Sequence, residues 1–332
     1  MKKLTVNILT GGGGSPEPVK SRAFTMAEIL LSLTIIGVVA AITLPSLTGN
    51  INERTWNTQR KALYARFSQA IALMPALNGY GTLVEGNDST SAVDTAAETF
   101  VTDGLAKVLK INNICDYEHL QDCGITSNII ALNGSTIATP TKMSELNSNM
   151  TSASLYMPYS QLDTKAAAFE TQNGESIIAF YNPNCQPSMN ENTNYNVQPK
   201  ICANFIFDLN GNKGPNTVGK DIGFMTVLFP VDSSVVAPNV PVQKAAAQTA
   251  TQQEATGMCK EQDPEYRIPS LDELSSMFVN QLLMNGSLST SSTDYWSSII
   301  ATPTLGWTQG FSSGARYRQN RSSKFTVHCV KR

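Results

Sequence analysis

Histidine is almost absent from this chain: His119 and His328 are the only two among 332 residues. No zinc-type spacing, P-loop or paired-carboxylate arrangement stands beside them, which leaves metal-assisted hydrolysis and phosphoryl transfer little to work with. Charge is scarce as well. Lys and Arg number 24 against 26 Asp and Glu, a formal net charge of −2, so no global positive field draws the chain to nucleic acid. Neither an enzyme nor a nucleic-acid partner is expected. One hydrolase-like pattern remains, Gly310-Phe311-Ser312-Ser313-Gly314. A nucleophile elbow needs a strand before it, a helix after it, and an Asp and a His downstream. The residues after Gly314 read as an Arg-rich strand, with only His328 beyond.

One long apolar run interrupts this polar chain. From Phe24 to Leu44 every residue is apolar or small, except Glu28. About 20 such residues suffice to cross a bilayer as one helix, and a lone acid inside a span is functional by default. Lys20 and Arg22 precede the run and would hold its N-terminal side in the cytoplasm. A secretory signal peptide would have a shorter apolar region followed by a small-x-small cleavage site. Here Leu44-Pro45-Ser46-Leu47 comes next instead.

The stretch Lys20-Ser21-Arg22-Ala23-Phe24-Thr25-Met26-Ala27-Glu28, with the run behind it, resembles the N-terminus of the type IV pilin and pseudopilin family. Ala23 stands where the family usually has Gly. The resemblance implies a leader that a prepilin peptidase removes between Ala23 and Phe24, with methylation of the new amine. It implies residence in the inner membrane, N-terminus cytoplasmic, before assembly into an extracellular filament or a periplasm-spanning pseudopilus. Partners would be other subunits, met through the N-terminal helix. Glu28, fifth after the cut, would take a neighbouring subunit's amine, and Pro45 would be the helix-kinking proline. An unpaired carboxylate in a low-dielectric core is penalised, so such a pair selects axial register.

Beyond the run, Leu63, Phe67, Ala70, Ile71 and Met74 recur at three- and four-residue spacing, while Arg54, Arg60, Lys61 and Arg66 supply a wet face. This predicts a continued helix whose apolar stripe packs on the chain's own sheet. Residues 78–165 are weakly periodic, with a short helix expected around Ala96–Leu109. Ser176–Tyr181, Ile201–Leu209 and Ile222–Pro230 read as strands of a meander. Cys115, Cys123, Cys185, Cys202, Cys259 and Cys329 all fall in the part expected to be exported, where disulfides form. Six cysteines allow many pairings; their grouping favours pairing in order of occurrence. Asp208, Asn210, Asn212 and Asp221 surround Gly211 and can offer oxygens to calcium, the one cofactor the chain suggests. No Glu stands at the twelfth position, and the Asn-Gly and Gly-Pro pairs are plain turn signals, the commoner outcome of such a stretch.

Residues 232–243 read as a Pro-punctuated linker, and an Ala/Gln-rich helix is expected over Lys244–Cys259. Tyr266-Arg267-Ile268-Pro269-Ser270-Leu271-Asp272-Glu273-Leu274, Tyr295-Trp296-Ser297-Ser298, Gly306-Trp307 and Val327-His328-Cys329-Val330 then come in order. This series resembles the lectin-like C-terminal domain of bacterial collagen-like adhesins. Ser270 reads as the N-cap of a helix with Glu273 at its third position, and Trp296 and Trp307 read as core. Arg316, Arg318, Arg321 and Lys324 could present guanidiniums to an anionic polysaccharide; solvated hairpin charges are the plainer reading.

The expected chain is therefore α+β. A leader (1–23) precedes a long pilin helix (24–77, with 24–44 transmembrane), which packs on an antiparallel sheet head (78–235). A C-type-lectin-like α+β module (236–332) completes it. The expected role is a minor pilin or tip adhesin. The alternative is a type II secretion pseudopilin acting in protein export, and a pilin-anchored surface enzyme is the residual reading.

Overall fold

A computed structural model describes residues 25–78, 96–146, 166–181, 201–228, 235–236, 248–284, 288 and 293–331; at 40–52 and 75–78 only the helical backbone is described. Helix α1 runs from Met26 to Asn78. Thr25 caps it. The Glu28 amide donates to the Thr25 hydroxyl at 3.2 Å, and the Thr25 amide donates to Glu28 Oε2 at 2.8 Å, a reciprocal capping box. The backbone stays helical through Pro45, so Pro45 does not end the helix, although an interior proline forfeits one helical hydrogen bond.

The chain divides into two compact units, Met1–Asn52 and Glu53–Arg332, and the boundary falls inside α1. This corrects the expected fold class, which rested on one long pilin helix with a transmembrane half. In the first unit Ile29, Leu30, Leu31, Leu33, Ile35, Ile36, Val38 and Val39 are 45–64% exposed. Among the described residues no helix is long and apolar enough to cross a membrane. Met26–Val39 rises only about 20 Å at ~1.5 Å per residue, against a hydrocarbon core of about 30 Å. The rest of the chain is mostly sheet. A single pass through the inner membrane is corrected on the same ground.

In the second unit, α1 is followed by the one-turn helix α2 (Ala96–Thr99), which passes into a π turn and a 3₁₀ turn ending at Lys107. Next come β1 (Ile111–Cys115), the hairpin β2 (Asn128–Ile130) and β3 (Thr136–Ala138), and the one-turn helix α3 (Met143–Leu146). Strands β4 (Ala167–Thr171), β5 (Ser176–Tyr181), β6 (Ile201–Asp208), β7 (Ile222–Leu228) and β8 (Val235–Val236) complete a six-stranded sheet, order β1-β4-β5-β6-β7-β8. Every pairing in it is antiparallel.

Period-two alternation sends Ile177, Ala179, Phe205 and Phe207 to one face of this sheet and Ile178, Phe180 and Ile206 to the other. Leu63, Phe67, Ala70, Ile71 and Met74 of α1 cover the first face, where Phe67 meets Phe205 edge-on at 5.0 Å. Leu274, Met277 and Phe278 of the C-terminal region cover the second. With apolar layers on both sides, β5 and β6 are buried along their whole length, as in sheets covered on two faces.

The C-terminal region begins with β9 (Gln248–Ala250) and α4 (Gln252–Gln262), then β10 (Tyr266–Arg267) and α5 (Leu271–Val279). It ends with β11 (Asp294–Ile300), β12 (Leu305–Gly310), β13 (Arg316–Asn320), β14 (Phe325–Val327) and β15 (Val330–Lys331). A five-stranded sheet has the order β13-β12-β11-β14-β9, and β10 pairs with β15. The helix expected from Lys244 starts later, because Gln248–Ala250 pairs with β14 and a Thr251–Glu254 capping box opens α4. Ser270 caps α5 through the same motif with Glu273, and Arg267 clamps the Glu273 carboxylate at 2.6 and 2.7 Å.

Two disulfides are described, Cys115–Cys123 and Cys259–Cys329, both as the grouping of cysteines suggested. Cys202 is also disulfide-bonded; Cys185, its expected partner, lies outside the described residues.

Candidate functional site

The sequence singles out three places, and the structure treats each differently. At the N-terminus, Ala23 and Phe24 lie outside the described residues, as does the side chain of Pro45. Glu28 is exposed and engaged with Thr25, whose amide and hydroxyl (3.0 Å) both donate to Oε2. These bonds, the backbone one first, hold its carboxyl below the ordinary range, so it is ionised at neutral pH. The Thr-x-x-Glu spacing that suggested a pilin thus also has a local role, as the cap that starts α1.

The four C-terminal cations do not form one open patch. Arg316 is tied to Asp272 at 2.7 Å and Ser275 at 3.0 Å, and its side chain is only 11% exposed. Arg321 donates to the carbonyl of Pro303. Arg318 and Lys324 are exposed, and the Arg318 guanidinium lies 5.0 Å over the Trp307 ring, its cross-strand neighbour. Trp296 is core, fully buried, with its indole donating to the carbonyl of Ala250 at 2.7 Å. The Gly310–Gly314 stretch sits in the turn between antiparallel β12 and β13, without the downstream helix that a nucleophile elbow requires. His328 is buried, its Nε2 has no hydrogen-bond partner, and burial pushes its pKa down to about 4.

The third place is the loop between β6 and β7. Asp221 is fully buried and spends its carboxylate on backbone amides: Asn216 at 2.8 Å, Thr217 at 2.8 Å and Ile222 at 3.2 Å. Asn212 is exposed. Asp208 is 3% exposed; its Oδ1 accepts from the Asn210 amide at 3.1 Å. Burial pushes the Asp208 pKa up to about 7, and the nearby Asp221 adds to the rise. Among the described residues no group of three or more His, Cys, Asp or Glu could hold a metal ion. Alternation along the sequence points to Asn212 and Asp221 as ligands and passes over Asn216. The left-handed backbone of Asn216 (φ 51°) is a conformation that Asn tolerates better than most residues.

No protein-family model matches the chain, and the search of curated proteins returns no match.

Proposed function

We propose that the chain is a pilin-like assembly subunit, in the role of a minor pilin or tip adhesin, packing through its N-terminal helix and presenting a disulfide-stapled head. The observation that carries this reading is the exposed apolar stretch Met26–Val39, in which eight large aliphatic side chains are 45–64% exposed. A helix that is apolar all round is one that something else covers. Copies of the same helix are the occupant the sequence favours, because Glu28 recurs on each. Its Oε2 is held by Thr25, which leaves Oε1 for the amine of a neighbouring copy. The two disulfides of the head support function in an oxidising compartment.

The reading requires processing between Ala23 and Phe24 by a prepilin peptidase. Intact-mass measurement of the protein from its native host tests this. The expected mature chain begins at a methylated Phe24; a mature start downstream of Leu44 would remove the packing helix and the proposal with it.

A further inference from the structure

Three acceptor oxygens in the β6–β7 loop are buried without a hydrogen-bond partner: Asp208 Oδ2, Asn210 Oδ1 and Asn216 Oδ1. Their orientation is set by what the rest of each side chain does. Asn210 Nδ2 donates to the carbonyls of Lys213 and Gly214 at 3.1 and 3.0 Å, so Oδ1 must point the other way. Asn216 Nδ2 donates to the Thr126 hydroxyl at 3.3 Å, which turns its Oδ1 away likewise. Asp208 Oδ1 is occupied by the Asn210 amide, leaving Oδ2. Lone acceptors in an interior are costly, and three on one short loop are three acceptors awaiting a donor or a cation. We infer that Asp208, Asn210 and Asn216 form a site for a hard divalent cation, calcium by preference, that pins the β6–β7 connection.

Oxygen-only donors suit calcium, which accepts six to eight oxygens in loose geometry, better than magnesium, which demands a tight octahedron. The remaining positions would fall to backbone carbonyls and water. Only one donor is charged, since Asp221 is committed to amides. Arg60 reaches the same connection, donating to the carbonyls of Gly219 and Lys220 at 3.0 and 2.6 Å, and Lys213 and Lys220 stand on it. Low ligand charge beside a cation places the affinity in the weak class, Kd about 0.1–1 mM, typical of extracellular calcium modules. A site made of one carboxylate and two amides also escapes a criterion that counts only His, Cys, Asp and Glu.

Calorimetric titration and thermal melts of the full chain with calcium chloride alone provide the test. Sodium chloride of equal ionic strength serves as the control. The expected result is saturable binding and a rise in Tm of about 3 °C or more at several times Kd, with a smaller response to magnesium. Asp208→Asn should lose the calcium response. It should melt no lower than the wild-type chain without calcium, because the amide keeps the bond to the Asn210 backbone and removes a buried charge. No binding by the wild-type chain, or an equal calcium shift in Asp208→Asn, would overturn the site.

Discussion

At the scale of single residues, His328 is the clearest lever on stability. It is buried, unpartnered at Nε2, and neutral in the fold, with a pKa of about 4 against 6.5 in an exposed chain. A histidine whose folded pKa is depressed takes up its proton more readily when unfolded. Its contribution is therefore intact above about pH 6.5 and is lost as pH falls towards 4, by about 3 kcal/mol at the end of that window. Urea midpoints measured from pH 7 to pH 4 should fall steeply for the wild-type chain and less for His328→Phe. Equal slopes would mean that His328 is already solvated. Glu28 sits at the opposite extreme, exposed and ionised, and its bonds to Thr25 make it a cap first; any second partner must add to that role.

At the scale of elements, the parts legible in the sequence were those with strong local patterns. The α1 stripe from Leu63 to Met74, the strands β5, β6 and β7, and the Ser270 cap all arise from spacing within a few residues. Strands β1, β4 and β9 were not legible, since each is five residues or fewer and owes its conformation to a partner elsewhere in the chain. The same holds for the docking of α5 on the six-stranded sheet. That junction carries a buried polar seam: Asn204 and Asn280 exchange amide hydrogen bonds at 2.9 and 3.0 Å. Thr226 donates to Asn204 Oδ1 at 2.8 Å and meets Ser276 at 2.6 Å. No periodicity announces such a seam. Asn204→Ala should cost about 1–3 kcal/mol, because Asn280 is left unpaired. In a double-mutant cycle, adding Asn280→Ala should cost less than it does alone; additive losses in chemical denaturation would show that the two amides do not act as a pair.

At the scale of the whole molecule, two units of different character share one chain. Glu53–Arg332 is a sheet-built body with covered faces, two described disulfides and a buried seam. Met26–Val39 is an apolar helix whose large side chains stand exposed. The pilin resemblance rests on that helix, and its membrane-crossing form has not survived: the described apolar stretch is too short to span a bilayer. What remains is a surface that needs a cover, and the proposal assigns that cover to further copies of the chain. The most direct measurement is photo-crosslinking from a probe placed at Ile35 in the native host, with and without Glu28→Ala. The account predicts a ladder of crosslinked copies in the wild-type background, strongly reduced by the substitution. A probe that captures no second copy, or a ladder that Glu28→Ala leaves unchanged, would contradict it.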